Sequence, residues 1–259
     1  MDMLANVVEE LGRVSENPSP EAVGRMMKLL RNVFFPNLYR ETAPGPAERM
    51  VAAILEEQTG SRDTADAFVA ELPAIRDLLY KDVAAVAHND PAVTSIAEIV
   101  LSYPAITVMM HYRVAHSLLE MGVAMLPRMI TELAHSATGV DIHPAAKIGE
   151  YFAIDHGTGI VVGATSIIGD HVMLYQGVTL GAKNFSYDSD GRPIDKPRHP
   201  ILEDNVTVYS NTSILGRVTV GHDTVVGGNV WLTHDVPPFS RILQTNAVTE
   251  PIFEHGAGI

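Results

Sequence analysis

A hydrophobic residue recurs at every sixth position of this sequence between residues 140 and 236. The recurrence shifts by two residues after Ile160 and pauses between residues 182 and 200, after which a third run begins in a new phase at Leu202. The positions are Ile142, Ile148, Ile154, Ile160, Val162, Ile168, Leu174, Leu180, Leu202, Val208, Ile214, Val220, Val226 and Leu232. A period of six fits neither a half-buried strand nor an amphipathic helix. It is typical of a parallel β-helix, in which each six-residue unit forms a short strand and a turn.

Three such units close one triangular coil of about 18 residues, and the aliphatic side chains stack inside it as ladders. A single coil cannot bury its ladder, so stability has to come from stacking neighbouring coils. A β-sandwich of short strands is the alternative, but nothing would hold such strands to a six-residue phase through three separate runs. The pattern therefore favours a solenoid over residues 140–240.

The residues before position 140 are expected to be helical. Ser19 is a suitable N-cap and Pro20 a suitable first residue for a helix. The sequence also predicts helices over residues 47–57, from residue 64 with an interruption or bend at Pro73, and over residues 94–102, 104–120 and 124–136. The predicted class is α+β: an N-terminal all-α helical domain (1–139), a C-terminal parallel β-helix of hexapeptide repeats (140–240) and a tail (241–259).

Composition excludes several kinds of protein. The formal net charge of -13 argues against nucleic acid as a partner, because phosphate binding needs a concentrated basic surface. The absence of cysteine excludes disulfides, thiolate metal sites and a cysteine nucleophile. No apolar run reaches 18 residues, and the N-terminus carries acidic residues where a signal peptide would be basic. We therefore expect a cytoplasmic protein that does not enter a membrane.

Two aspartates and two histidines occur where the β-helix begins, namely Asp141, His143, Asp155 and His156. Asp141 and His156 are fifteen residues apart, which in coils of about 18 residues would bring them to one edge of the solenoid. A carboxylate beside an imidazole fixes its tautomer and stabilises the imidazolium, as a general base for a hydroxyl requires. The alternative for a histidine at a coil corner is a solvated turn residue.

Two further segments draw attention. Asp90 precedes Pro91 and is favoured as a turn residue. Residues 182–197 form a long excursion from the coil, and long loops within compact domains are often functional. The excursion ends at Arg198 and His199, where the arginine fork suits a carboxylate, although an exposed loop cation is the alternative.

Several motifs resemble those of the serine acetyltransferase family in the same order: NDPAV, VDIHPAAKIG, DHGTGIVVG, LYQGVTLG and RHP, within residues 85–236. The resemblance implies a left-handed β-helix, a trimer of side-by-side β-helices, and a hexamer formed by two trimers. This sequence departs from the family in its longer insert at residues 182–197 and in the shorter segment that follows VPPF.

The resemblance also implies roles for individual residues. His156 would be the general base that accepts the hydroxyl proton of L-serine, and Asp141 would orient it. Asp90 and Asp155 would hold the polar head of serine, and Arg198 with His199 would bind its carboxylate. Acetyl-CoA, the expected co-substrate, would lie in a groove between subunits. Its backbone contacts would be near Ala182, Ser210 and Gly228.

The sequence ends in FEHGAGI, which resembles the tail by which family members bind O-acetylserine sulfhydrylase, the cysteine synthase. The free carboxylate of Ile259 would carry that docking. A mobile terminus is the alternative for these residues.

Three other functions stay open. One is acetylation of homoserine or another hydroxy acceptor by the same mechanism. The second is a non-catalytic partner of cysteine synthase. The third is a metal enzyme of the carbonic anhydrase kind on the same fold, using His143, His156, His171 or His199, although we expect no metal because the neighbouring Asp and Arg residues do not fit such a site.

Overall fold

The structure is a computed structural model, and it describes residue 7 and residues 18–184, 187–192, 194 and 196–245. The described residues form helices followed by a parallel solenoid of about five turns, with the left-handed β-helix fold. The predicted α+β class is confirmed. The helices are α1 (Pro20–Phe34), α2 (Pro44–Thr59), α3 (Arg62–Asn89), α4 (Ile96–Ser102), α5 (Pro104–Glu120) and α6 (Leu126–Thr138).

Local signals account for the helix ends. The hydroxyl of Ser19 accepts the amide N–H of Ala22 at 3.3 Å, so Ser19 is the N-cap that the sequence predicts. Gly60 ends α2 with a left-handed φ of 66°. The expected interruption at Pro73 is wrong, because α3 continues through it as one helix of 28 residues. The alternative, a bend at Pro73, stays a prediction. Pro73 is exposed, so water can satisfy the carbonyl that loses its partner.

Three parallel sheets form the sides of the solenoid, and we name them faces A, B and C. Face A contains β1 (Asp141–Ile142), β4 (Val161–Val162), β7 (Thr179–Gly181), β10 (Ser213–Leu215) and β13 (Trp231–Leu232). Face B contains β2 (Lys147–Ile148), β5 (Ile167–Ile168), β8 (Ile201–Leu202) and β11 (Thr219–Val220). Face C contains β3 (Ala153–Asp155), β6 (Met173–Tyr175), β9 (Thr207–Val208), β12 (Val225–Val226) and β14 (Arg241–Ile242).

The chain turns from A to B, from B to C and from C to A, and we call these turns the A–B, B–C and C–A corners. The predicted aliphatic ladder points inward: Ile142, Val162, Leu180, Ile214 and Leu232 are all buried and stack in register on face A. Burying such ladders between coils is what holds the stack together. Strand β14 pairs with β12, so the solenoid extends two residues beyond the predicted boundary at 240.

Helix α5 covers the first coil of the solenoid. The hydroxyl of Tyr112 donates to the carbonyl of Ala146 at 2.6 Å and accepts the amide of Ile148 at 3.1 Å. The guanidinium of Arg113 donates to the carbonyls of Ile148 at 2.7 Å and Gly149 at 2.6 Å. These bonds satisfy backbone groups that have no further coil to pair with, so the helical domain acts as the terminal cap that a solenoid needs.

Within the described residues, no helix has the length and apolar character needed to cross a membrane.

Candidate functional site

His156 lies in a two-residue bulge at the C–A corner. Asp155 pairs with a residue twenty positions along the chain. Gly159, in contrast, is in register with the residue only eighteen positions further along the chain. The extra residues are therefore His156 and Gly157, which have left-handed φ angles of 56° and 87°. The bulge leaves the His156 side chain 72% exposed, so its ring is available to a substrate.

Two carboxylates lie close to His156. The Asp155 Oδ1 is 3.9 Å from the His156 Nδ1. Asp90, which follows α3, is held by the amide of Ala92 at 2.8 Å and by the hydroxyl of Tyr103 at 2.8 Å. These two hydrogen bonds, with a smaller contribution from the charge of His156, lower the pKa of Asp90. The structure thus groups three of the predicted site residues at one corner and keeps the Asp90 carboxylate ionised.

Asp90 also behaves as the turn residue that the sequence favours, because its side chain accepts the amide of Ala92 two positions on. Its second oxygen is what Tyr103 binds. The turn interpretation is therefore confirmed for one carboxylate oxygen, while the other lies in the cluster. The binding of serine by Asp90 stays a prediction.

Two tyrosines complete this cluster, and sequence reasoning missed both. The hydrogen bond to Asp90 raises the pKa of Tyr103 to about 12. Tyr175 lies above Asp155 in register and stacks on Tyr209, with ring centroids 4.7 Å apart. Burial, with smaller effects of Tyr209 and Asp155, raises the pKa of Tyr175. Both hydroxyls therefore remain protonated donors at neutral pH. Placing Tyr175 beside Asp155 from sequence would have required a coil of twenty residues rather than eighteen.

Asp141 lies on β1 of face A, next to the corner that carries His156. Its carboxylate is 3.4 Å from the guanidinium of Arg128 in α6 and its side chain is 26% exposed. On the next coil, the residue in register with Asp141 is Val161, and His156 comes five residues before Val161 in the chain. The two residues therefore occupy a strand and the adjoining corner rather than one shared edge. No hydrogen bond or ion pair joins them among the described side chains, so their pairing stays a prediction.

Arg198 and His199 lie at the A–B corner, across the width of face A from His156. The His199 Nδ1 accepts the amide N–H of Thr165 at 3.1 Å. Its ring covers Gly163 so closely that a Cβ there would be 2.1 Å from Nε2. Burial, and then the charges of Arg198 and His143, lower the pKa of His199 to about 4. The ring is neutral with its proton on Nε2, where it can donate to a carboxylate.

Within one chain, the structure does not bring Arg198 and His199 to His156. The expected cofactor contacts divide in the same way. Ser210 and Gly228 lie one above the other at the C–A corner, and a Cβ on Gly228 would be 3.2 Å from the Ser210 carbonyl. Ala182 lies at the A–B corner, where the insert begins. The predicted site thus consists of two halves, one at each edge of face A.

The alternative metal site is not assembled within the chain. His156 is at the C–A corner, His143 and His199 are at the A–B corner, and His171 stacks on Tyr151 at the B–C corner with centroids 4.6 Å apart. Among the described residues, the one group within ligand distance is formed by Glu132, His135 and Asp141. Arg128 pairs with both carboxylates of that group, so a guanidinium already occupies the position beside them.

The predicted docking residue, Ile259, lies outside the described residues. The expectation that its carboxylate binds a partner stays a prediction.

No protein-family model matches the chain. It is 50% identical to "Serine acetyltransferase, plasmid" of Synechococcus elongatus over 194 residues. These matched residues make up 74% of this chain but only 60% of that protein. It is 38% identical over 173 residues to a serine acetyltransferase of Helicobacter pylori, which covers 67% of this chain and 96% of that protein.

Two solved structures extend the comparison. Serine acetyltransferase isoform 3 of Entamoeba histolytica, in complex with cysteine, has a TM-score of 0.79 at 31% identity over 89% of this chain and 84% of that chain. A serine acetyltransferase in complex with CoA has a TM-score of 0.63 at 28% identity over 86% of this chain and 83% of that chain. The resemblance of the motifs is thus matched by resemblance of the whole fold.

Proposed function

Because the chain belongs to the serine acetyltransferase family, we propose that it transfers the acetyl group of acetyl-CoA to the hydroxyl of L-serine, giving O-acetylserine for cysteine biosynthesis. The observation that carries the proposal is the grouping of the exposed His156 ring with the Asp155 and Asp90 carboxylates. Serine brings an ammonium group, which suits the carboxylates, and a hydroxyl, which needs a base.

The reaction is a direct transfer. His156 removes the proton as the serine oxygen attacks the thioester carbonyl, and the tetrahedral intermediate then expels the CoA thiolate. No enzyme nucleophile is needed when base, acceptor and thioester are held at reacting distance. Asp141, on the strand that adjoins the corner of His156, orients and stabilises the charged imidazole. Acetyl-CoA is a co-substrate, and no step calls for a metal.

The carboxylate of serine is bound by Arg198 and His199 from a second copy of the chain. The support is geometric: these residues lie at the edge of face A opposite His156, so packing β-helices side by side brings an A–B corner to a neighbour's C–A corner. The neutral His199 donates from Nε2, and Arg198 supplies the positive charge. Ser210, Gly228 and the neighbour's Ala182 then line the groove for CoA. In the trimer that the family resemblance implies, every site would be complete, and two trimers would join through their helical domains.

Thiol release from acetyl-CoA in the presence of serine or homoserine tests the reaction. We expect serine to be preferred and His156→Ala to lower kcat by roughly 100-fold to 10,000-fold, the usual contribution of a general base. His171→Ala, at another corner, is the matched control. Unchanged turnover in His156→Ala would refute the mechanism, and a preference for homoserine would keep the mechanism but change the substrate.

Mixing two inactive variants tests the shared site. Co-refolded His156→Ala and Arg198→Ala chains should regain part of the wild-type activity, because some sites then combine an intact His156 with an intact Arg198. If each site were built from one chain, no mixture would recover activity.

We also propose that the C-terminal tail binds O-acetylserine sulfhydrylase and that both proteins work in the cytoplasm. The support for the docking is the FEHGAGI ending, which resembles the tail of family members that bind the sulfhydrylase. Deleting Ile259 should abolish co-elution with the sulfhydrylase and leave serine acetylation intact. Retained co-elution would show that the free terminal carboxylate is not what binds.

A further inference from the structure

Thr165 lies half-buried in the turn at the A–B corner. It is in register with His199 on the next coil, since Ile167 and Ile201, two residues further on in each coil, are Cα partners. Thr165 and His199 are 34 positions apart in the chain, because the insert lies between them. His199 thus marks the point at which the chain re-enters the solenoid, and Thr165 is its neighbour on the preceding coil.

The hydroxyl of Thr165 fixes this re-entry point with its full hydrogen-bonding capacity. Its oxygen accepts the amide N–H of Arg198 at 2.9 Å and that of His199 at 3.1 Å. The same oxygen is 2.8 Å from the His199 Nδ1. A threonine hydroxyl has two acceptor positions and one hydrogen, so with both acceptor positions engaged its hydrogen is directed at Nδ1. The proton of the neutral His199 ring is therefore on Nε2.

The main chain of Thr165 adds two further contacts. Its amide N–H donates to the same Nδ1 at 3.1 Å, and its carbonyl accepts the guanidinium of Arg217 at 2.6 Å. That guanidinium nitrogen also donates to the carbonyl of His199 at 3.0 Å, so Arg217 ties the two coils together from the following coil. Gly163 leaves the room that the ring occupies. The main chain, ring orientation and tautomer of His199 are thus all fixed by its neighbours in the A–B corner.

Fixing this segment matters because a long loop precedes it. The insert separates β7 from β8, and Arg198 is the first residue after it. Recognition of a carboxylate by an arginine fork and an imidazole N–H requires both donors to be held in one geometry. A loop end without such support would have to be ordered by the substrate, which would weaken binding.

We infer that Thr165 is a positioning residue of the serine site, which holds Arg198 and the Nε2–H of His199 where they meet the carboxylate of the substrate. The inference rests on the proposed function for the identity of that carboxylate. It also accounts for how the chain carries its insert without displacing the two residues that follow it.

Acceptors with and without a carboxylate test the inference. Thr165→Val keeps the shape of the side chain but removes its hydrogen bonds. It should raise the KM for serine by roughly 10-fold to 100-fold, the effect of two or three lost hydrogen bonds, and leave kcat nearly unchanged. The kcat/KM for L-serinamide, whose carboxylate is replaced by a neutral amide, should stay at its wild-type value.

Two matched variants accompany this measurement. Thr165→Ser retains the hydroxyl and should restore the wild-type KM for serine. Thr219→Val on β11 is the control, because the hydroxyl of Thr219 makes no hydrogen bond among the described residues. A purely structural role would lower both activities together. An equal fall of kcat/KM for serine and serinamide, a lower kcat at unchanged KM, or Thr165→Ser behaving like Thr165→Val would overturn the inference.

Nitrogen NMR of the wild-type protein gives a test that depends neither on turnover nor on the Thr165 variants. In protein containing isotope-labelled histidine, the His199 ring should carry its proton on Nε2 at neutral pH, with Nδ1 unprotonated. A proton on Nδ1 would overturn the inference. Failure to acetylate serine in a protein that shows the expected tautomer would refute the proposed function, while the contacts by which Thr165 fixes His199 would stand.

Discussion

Replacing Arg113 by methionine should destabilise the junction between the helical domain and the solenoid. Arg113 is 5% exposed and makes a two-pronged ion pair with Asp82, which is fully buried, at 3.0 and 3.1 Å. Its remaining donors bind the carbonyls of Ile148 and Gly149 on the first coil. Asp82 in turn accepts the amide of Phe152 at 3.1 Å. One substitution thus removes the partner of a buried charge and two caps of the solenoid edge.

The expected loss is large. Breaking a buried ion pair by removing one partner costs about 3–5 kcal/mol. For a chain of this length each kcal/mol lowers Tm by roughly 2–4 °C, so the variant should unfold roughly 6–20 °C earlier. Burial already raises the pKa of Asp82, and losing Arg113 raises it further. Protonation relieves the unpaired charge, so the destabilisation should be greatest at neutral pH and should lessen as the pH falls towards the unfolded value of about 3.9.

Circular dichroism melting at one fixed protein concentration measures the effect, because assembly also shifts Tm. Lys81→Ala is the matched control, since Lys81 pairs with Glu150 at the same junction but both side chains are partly exposed. The double variant Asp82→Leu with Arg113→Met removes both charges yet leaves the carbonyls of Ile148 and Gly149 without partners. It should therefore stay less stable than wild type. Full recovery of Tm in the double variant would refute the capping argument.

Three other predictions concern the site and the pH. Tyr103→Phe removes a hydrogen bond that lowers the pKa of Asp90, so the acid limb of kcat/KM for serine should move to higher pH; an unchanged profile would separate Tyr103 from the site. Burial lowers the pKa values of His111 and His199 to about 4. Between about pH 6.5 and 4 the unfolded chain therefore binds more protons than the folded chain, so the urea midpoint of unfolding should fall as the pH is lowered through that range. Flat midpoints would contradict this. Gly163→Ala places a Cβ 2.0 Å from the His199 ring, and calorimetry should show a lower Tm together with a raised KM for serine.

The solenoid could be predicted from the sequence because its period is local. Every ladder position is six residues from the next, so the pattern can be read without knowing any distant contact. Helix starts such as Ser19 are local for the same reason. The continuation of α3 through Pro73 could not be predicted, because it depends on that residue facing solvent.

The site was only partly predictable. The motifs predict Asp90, Asp155 and His156 as site residues, and the structure places the three at one corner. Tyr103 was missed because its partner, Asp90, lies in the connection before α4 while Tyr103 itself lies in the connection after α4. No local sequence pattern marks such a contact. The Arg113 and Asp82 pair was missed because it joins residues 31 positions apart across two helices. Contacts of that kind depend on how the helices pack, which a repeat pattern does not determine.

A regular solenoid offers few places for chemistry, because each coil repeats the one below it. The chain departs from its eighteen-residue coil in three places. His156 and Gly157 lengthen one coil by two residues, the insert at 182–197 lengthens another, and the coil that ends at β14 is two residues short. The first departure projects an imidazole at one edge of face A, and the second builds a basic cavity at the other edge. The two irregularities that lengthen a coil and interrupt the hydrophobic phase in the sequence are thus the features on which the proposed catalysis and the proposed serine binding depend. Locating breaks in the period is therefore a direct way from sequence to site in a fold of this kind.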